Sequence, residues 1–236
     1  MRIHLLFCIA IAFFSSVATG QDLQSPDRRE AINDLFVKQI GAAAEIFSGP
    51  DYVSQNYRKT GSVFYASDSL AVGWIVYDGL LYKNVGLQWD ILQNYVLIQG
   101  KNGYSRIILR NNMVDSFHLS GHTIIRMEAD KESNLHNTDF YDAVYRGKTQ
   151  VWARRKVTTN YGNSESRVVY AMRPQHKFYI KKENLFYQVT NRREVLNVFS
   201  NKQSEINKAV NSENLSWRRD FEECLTLAAA VYDKTN

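Results

Sequence analysis

The pattern of apolar and polar residues from Leu70 to Ile91 predicts a β-hairpin. Two apolar runs flank Asp78-Gly79, and Asp-Gly is a preferred two-residue loop between antiparallel strands. The resulting register sets Val72 against Val85. Side chains alternate between the two faces of a strand, so we expect the more apolar face to form the core, and its members are Leu70, Val72, Trp74, Val76, Leu81, Val85, Leu87 and Trp89.

The same rhythm of apolar runs and turn residues continues to residue 189. Four further dipeptides each separate two such runs and predict hairpins: Asn102-Gly103, Ser120-Gly121, Arg146-Gly147 and Glu183-Asn184. Polar stretches at 129–139 and 160–166 predict longer loops. No helical pattern lies between these runs, so we expect an antiparallel meander of about ten strands. Such a sheet is expected to curl into a half-barrel, close into a barrel, or split into two layers.

Apolar residues at helical spacing predict helices at both ends of the β region. Ser25 and Pro26 begin an N-terminal helix, whose apolar stripe should dock on the sheet: Ile32, Leu35, Phe36, Ile40, Ala43 and Phe47. Beyond residue 190, Asn191 and Glu194 predict a capping box. Ser216 is predicted to cap a longer helix that should pack on an end or a face of the sheet.

The predicted fold is therefore mainly β (α+β), a curved meander with an N-terminal helix and C-terminal helices. We expect a signal peptide at 1–20, a helix at 21–50, an antiparallel β domain at 51–190, and a C-terminal helical segment at 191–236 that packs on it. The predicted mature chain, residues 21–236, is long enough for one substantial core.

The first twenty residues predict export. Arg2 and His4 precede an apolar run at 5–14 that is too short to span a bilayer comfortably, and Ala18-Thr19-Gly20 offers a cleavage site. A retained N-terminal anchor is the alternative, and no later apolar run approaches the length of a membrane helix. After cleavage Cys224 is the one remaining cysteine, so no intrachain disulfide can form. Export without a disulfide favours the bacterial periplasm or the periphery of the outer membrane.

Basic residues concentrate between Arg146 and Arg193, where twelve Lys or Arg stand against two Glu. Solvent-facing strand positions explain this asymmetry, and an anionic partner is the alternative. Six of the cations and aromatics in and near this segment form a candidate binding group for an anionic lipid or glycan: Tyr141, Tyr145, Trp152, Arg154, Arg155 and Lys156. A solvated strand edge protected by charge is the preferred explanation of the same residues. An exported chain is not expected to bind nucleic acid, although such mixtures do so in some folds.

Residue types that carry catalysis or bind metals form no known motif here. The chain has no nucleophile elbow, HExxH, phosphate loop or Cys-x-x-Cys, and no cofactor is expected. His118 and His122 flank a predicted turn, so their rings should lie on opposite faces, which disfavours a metal site. Cys224 lies on the apolar stripe of its helix, where a buried inert thiol is expected.

Four aspartates are candidates for acid–base chemistry. Asp78 is explained by its turn, and Asp115 by a predicted cross-strand partner, Arg126. Asp90 and Asp142 have no structural explanation in the sequence.

Three segments resemble an uncharacterised family of exported Bacteroidota proteins: IVYDGLLYKNVGLQWD, FYDAVYRGKTQVWARRK and NRREVLNVF. In that family a Tyr-x-Gly-x-x-Tyr-x-Asn-Val segment precedes a Tyr-Asp-like dipeptide, for which Trp89-Asp90 stands here. A Phe-Tyr-x-x-Leu-Tyr-x-Gly segment precedes basic residues, and Val144 takes the place of its Leu. The resemblance covers most of residues 62–200. It implies a β-meander and an envelope address, and it implies no activity.

These observations favour a non-catalytic envelope protein with a binding or scaffolding role, whose partner is another envelope protein or an anionic lipid or glycan. One alternative is a carrier of an apolar or anionic lipid-like ligand in a curled sheet, which an open apolar trough would favour. A second alternative is a hydrolase. It would need a cleft in which Asp90 or Asp142 meets His118 or another polar group.

Overall fold

The computed structural model describes residues 31–35, 45–54, 59–164 and 167–235. These residues form an open ten-stranded antiparallel sheet, a three-stranded sheet beside it, and three helices near the C-terminus. The prediction of a mainly β protein with helices at its ends is confirmed. The predicted signal peptide, together with Ser25, Pro26, Phe36, Ile40 and Ala43 of the predicted N-terminal helix, lies outside the described residues.

The strands follow one another through most of the chain. Their bounds are β1 (Lys59–Thr60), β2 (Ala71–Tyr77), β3 (Leu80–Asp90), β4 (Tyr95–Gln99), β5 (Arg106–Ile108), β6 (Val114–Leu119), β7 (His122–Met127), β8 (Asp139–Arg146), β9 (Gln150–Arg154), β10 (Val157–Ser164), β11 (Arg167–Pro174), β12 (Lys177–Lys182) and β13 (Leu185–Val189). The helices are α1 (Arg192–Val198), α2 (Gln203–Ser212) and α3 (Phe221–Thr235).

The large sheet consists of two meanders that join along β2 and β6. Its strand order is β13-β12-β9-β8-β7-β6-β2-β3-β4-β5. The chain runs outward from β2 to β5, returns so that β6 pairs with β2, and then continues to β9. Strands β5 and β13 lie at opposite edges and do not pair with each other, so the predicted sheet remains open and does not close into a barrel.

Strands β10 and β11 leave the large sheet as a hairpin and form the small sheet with β1. The prediction of a polar loop at 160–166 is therefore wrong, because β10 extends to residue 164 and pairs with β11. Thr159 and Asn160 are exposed. These two consecutive side chains point to opposite faces of β10, so neither face is apolar here and hydrophobic periodicity gives no signal for the strand.

The first hairpin turns at Asp78-Gly79 as predicted, but the predicted core face is wrong for β2. A β-bulge shifts the register between Gly73 and Trp74, so that Val72 faces Gly86. Asn84, at a φ of 56° on β3, is the extra residue that reverses the alternation. Leu87 and Trp89 remain buried, whereas Val72 is 75% exposed. The buried positions of β2 and early β3 are instead Ile75, Tyr77 and Tyr82.

Three other strand registers agree with those predicted from the turn residues. Ile98 faces Ile107, Phe117 faces Ile124, and Ile180 faces Tyr187. Turn chemistry fixes these pairings locally. The register of β6 and β7 agrees with the predicted opposition of Asp115 and Arg126, but Arg126 forms its ion pair with Glu128, two residues along the chain.

Residues 31–35 are helical, in agreement with the predicted N-terminal helix. However, Ile32 is 51% exposed and Leu35 is 62% exposed, so these two residues do not dock on the sheet as predicted. This segment contacts the sheet through polar groups. The Asn33 amide exchanges two hydrogen bonds with the backbone of Leu81, at 2.9 and 3.2 Å.

The C-terminal helices pack on one face of the sheet. Asn191 caps α1 by accepting a hydrogen bond from the Glu194 N–H, as predicted. Ser216 does not cap the last helix, because α3 begins at Phe221 and its first turn bonds back to the Asp220 carbonyl. No helix among the described residues is long and apolar enough to cross a bilayer.

The apolar side chains form three clusters. The first surrounds β2 to β6 and includes Trp89, Phe117 and Phe140. The second lies between the three helices and β9, β12 and β13. The third lies on the opposite face of the sheet and includes Trp152 and Leu135 of the loop before β8. We call the side of the sheet that the helices cover the helix face.

Candidate functional site

Strand β8 carries a buried aspartate between the first and second apolar clusters. Phe140 and Asp142 are two residues apart and share the helix face, and Val144, at a β-bulge between Ala143 and Tyr145, packs on the same side. Phe140 belongs to the first cluster and Val144 packs against the second. Asp142 is completely buried. A buried carboxylate needs partners, because its desolvation is otherwise costly.

Arg155, just beyond β9, supplies the main partner. Its Nε donates to Asp142 Oδ2 at 2.9 Å, and its two terminal nitrogens donate to Glu222 of α3 at 2.6 and 2.7 Å. A second bond to Asp142 comes from Nη2 at 2.5 Å. The arginine is itself buried. This double pairing joins the sheet to α3.

Aromatic rings and charges hold the guanidinium in place. It lies 5.3 Å from the centre of the Tyr65 ring and 5.9 Å from that of Phe178, which suits a cation–π contact. Burial alone would lower the pKa of Arg155, but its hydrogen bonds to Glu222 and the charge of Asp142 raise it. Burial alone would raise the pKa of Glu222, but Arg155 lowers it below its ordinary value. Both groups therefore stay ionised.

His122 is a partly exposed member of this group. Its Nδ1 lies 2.9 Å from Asp142 Oδ2, and its ring meets Tyr65 edge-on at 5.3 Å. The side chain is 37% exposed. Tyr65 donates its hydroxyl to Asp142 at 3.2 Å, and burial, followed by the nearby Asp142 charge, raises the pKa of that hydroxyl. We call His122, Asp142, Arg155, Glu222 and Tyr65 the Arg155 cluster.

An open groove of about 640 Å³ adjoins this cluster, between the helix face and α3. We call it the α3 groove. It is mainly apolar, and its lining residues are His122, Val144, Glu213, Leu215, Glu222, Glu223, Thr226, Leu227 and Ala230. The Arg155 cluster contributes His122 and Glu222 to this lining.

A second group of charges lies near the other face of β8. Asp139 is buried, and it pairs with Arg154 at 2.5 Å and with Lys156 at 3.2 Å. The Asn94 amide donates to the same carboxylate at 2.8 Å. Burial alone would raise the pKa of Asp139, but Lys156, the Phe140 N–H and Arg154 lower it. We call Asp139, Arg154, Lys156 and Asn94 the Asp139 cluster.

The six residues predicted as a binding group do not come together. Arg154 and Lys156 pair with Asp139, whereas Arg155 pairs with Asp142. Tyr141 and Trp152 pack in the third apolar cluster. The Tyr145 hydroxyl lies 3.1 Å from Asp233, at the far end of α3. Each of the three cations therefore contacts a buried carboxylate of its own protein.

The other candidates have structural partners. Asp90 accepts hydrogen bonds from the backbone of Leu92 and Gln93 and from the Tyr52 hydroxyl, all at 2.9 Å, so it closes the turn after β3. His118 stacks on Trp74 with ring centres 5.9 Å apart.

The remaining two predictions concern a thiol and a metal site. Cys224 is fully buried, and this burial raises the pKa of its thiol to about 11, as expected of an inert cysteine. His118 faces Thr123 and His122 faces Leu119, so the two rings point to opposite sides as predicted. No group of three or more potential ligands that could hold a metal occurs within the described ranges.

Comparisons with family models, with curated proteins and with solved structures found no match to this chain. The candidate site is therefore interpreted from its own geometry. The resemblance to exported Bacteroidota proteins stays a prediction.

Proposed function

We propose that this chain is an exported, non-catalytic envelope protein that binds a small apolar ligand in the α3 groove. The observation that carries the proposal is the groove itself, which is open, mainly apolar and about 640 Å³ in volume. This volume lies within the range of small-molecule sites, about 300–1,000 Å³. Such sites combine apolar walls with a few polar groups that orient the ligand. In the α3 groove, His122 and Glu222 are such polar groups.

The walls of the groove are rigidly tied. Arg155 bonds α3 to β8 and Asp233 bonds the other end of α3 to the β8–β9 turn, where Thr149 donates to it at 2.6 and 3.0 Å. Both ends of the helix are therefore fixed to the sheet. A preformed site loses less conformational entropy when a ligand binds.

The pairing of the cations argues against the proposed anionic ligand. An anion at Arg154, Arg155 or Lys156 would compete with a buried carboxylate at 2.5 to 3.2 Å. Removing one partner of a buried ion pair leaves the other uncompensated, which is strongly unfavourable. An apolar ligand in the α3 groove requires no such exchange.

The test is a fluorescence titration of the purified protein with Nile red, an uncharged dye that brightens in apolar surroundings. Ala230 lines the groove, so Ala230→Trp should fill part of it and weaken binding by at least about tenfold. Ala209, on the neighbouring helix α2, is outside the groove lining, and Ala209→Trp is the matched control. Equal affinities of wild type and Ala230→Trp, with both proteins folded by circular dichroism, would overturn the proposal.

The contact between His122 and Asp142 supports a second candidate, a hydrolase. A carboxylate at imidazole Nδ1 leaves Nε2 free to act as a general base on water or on a nucleophile. However, Thr226 is the one hydroxyl-bearing residue of the lining, and its hydroxyl donates to the Glu222 carbonyl at 3.0 Å. Hydrolysis of p-nitrophenyl butyrate that disappears in His122→Gln would favour this candidate over simple binding.

A further inference from the structure

The charges at the α3 groove are unevenly balanced. Glu222 is paired with Arg155, whereas Glu213 and Glu223 are exposed. Within the described part of the chain, no lysine, arginine or histidine forms a recorded ion pair with Glu213 or Glu223. Among the lining residues, His122 alone has a basic side chain, and it faces Asp142. The rim therefore carries about two negative charges at neutral pH.

The positions of the α3 residues separate the charge from the apolar surface. Glu223, Leu227 and Ala230 follow one another at spacings of four and three, so they lie along one stripe of the helix. Glu223 lies in the first turn of α3. At about 1.5 Å per residue, Ala230 is about 10 Å farther along the helix. The groove is thus acidic at one end of the stripe and apolar toward the other.

We propose that the ligand of the α3 groove is a cationic amphiphile, with its ammonium group at Glu213 and Glu223 and its hydrocarbon chain along Leu227 and Ala230. This inference rests on the proposed binding function. The two unpaired carboxylates supply the charge complementarity, and the apolar stripe supplies the burial. Each buried methylene contributes to affinity in proportion to the apolar area that leaves water.

The helix dipole at the N-terminus of α3 favours an anionic ligand instead, but its effect is weaker than that of the two carboxylates. The aligned peptide dipoles are equivalent to about half a positive charge at a helix N-terminus, which favours anions. Two full negative charges at the rim exceed this half charge.

The experiment compares three ligands that share a ten-carbon chain and differ in charge. Decylammonium, decanol and decanoate are titrated into the full protein at pH 7.5, and displacement of Nile red gives each affinity. We expect decylammonium to bind about tenfold more tightly than decanol, and decanoate to bind more weakly than decanol. The preference should shrink in high salt, because exposed charges are screened.

A charge-neutralising variant provides the control. Glu213→Gln with Glu223→Gln should remove the preference, so that this variant binds decylammonium and decanol with equal affinity. Glu132→Gln with Glu205→Gln changes the net charge equally, away from the groove, and should keep the preference. If decanol and decylammonium bind equally to wild type, the head-group inference is wrong and the binding function stands. If Nile red and all three ligands fail to bind, the proposed function itself is wrong.

Discussion

The Arg155 cluster and the Asp139 cluster each contain a buried aspartate paired with an arginine, but they lie in different surroundings. Asp139 and Asp142 lie three residues apart on β8, and each is buried and paired with one of two consecutive arginines. Alternation along the strand sends the members of the two clusters to opposite faces. In the Asp139 cluster, Lys156 and Asn94 complete the coordination of the carboxylate. In the Arg155 cluster, His122 borders an open groove.

This difference shows that burial of ionic groups alone does not identify a site. Both clusters satisfy a buried carboxylate, so both have a structural explanation. The Arg155 cluster differs because it lies between two apolar clusters and because one of its members, His122, is 37% exposed. A polar group that is fixed on one side and open on the other can meet a ligand.

The largest difference between the two clusters is expected when each arginine is removed and the free energy of unfolding is measured. Arg155→Met leaves Asp142 and Glu222 without their shared cation, and we expect a loss of about 3–5 kcal/mol in the free energy of unfolding. Arg154→Met leaves Asp139 with Lys156 and Asn94, so about 1–2 kcal/mol is expected. Urea unfolding followed by circular dichroism measures both. Equal losses would mean that the two clusters are energetically equivalent.

The next largest difference is expected between the polar neighbours of the two aspartates, Asn94 and His122. Asn94 has a φ of 63°, a conformation that asparagine tolerates better than alanine, and its amide donates a hydrogen bond to Asp139. Asn94→Ala therefore strains the backbone and removes a charge-assisted hydrogen bond. We expect a cost of about 2 kcal/mol. His122→Ala should cost about 1 kcal/mol or less, because its partly exposed contact is screened by solvent. Thermal unfolding compares the two variants, and a larger loss for His122→Ala would contradict the view that solvent screens the contact between His122 and Asp142.

The last prediction concerns the pH dependence of stability. The pKa of Glu222 is lowered in the folded protein from an ordinary value of 4.5, so its stabilising contribution is fully present above that value and is lost as the pH falls through the folded-state pKa. Glu222→Gln should therefore cost about 1–1.5 kcal/mol at pH 7 and less toward pH 3. Urea unfolding at a series of pH values tests this. A constant difference between wild type and variant would refute the ion pair with Arg155.

Local chemistry made much of the fold predictable. Asp78-Gly79, Ser120-Gly121 and Glu183-Asn184 fixed three hairpins because each turn sets its own register. The bulge at Asn84 was not predictable, since an asparagine at positive φ leaves no distinctive pattern in a polar-apolar strand. One extra residue then reversed the core face of β2.

The candidate site was less predictable than the sheet. Asp142 was recognised as unexplained and Arg155 as part of a basic group, but their contact depends on the pairing of β8 with β9 and on the path of the chain after β9. Glu222 comes from a helix 67 residues beyond Arg155. No local pattern reports such a contact, which arises only when α3 packs on the sheet.

The most direct test of the groove is the NMR signal of the His122 imidazole during a titration with decanol. The account predicts that the ring resonances of His122 shift with ligand occupancy, because this side chain lines the groove. His118 stacks on Trp74 and His136 belongs to a different surface pocket, so their resonances should stay unchanged. An unchanged His122 signal at saturating decanol, or equal shifts of all three histidines, would contradict ligand binding beside the Arg155 cluster.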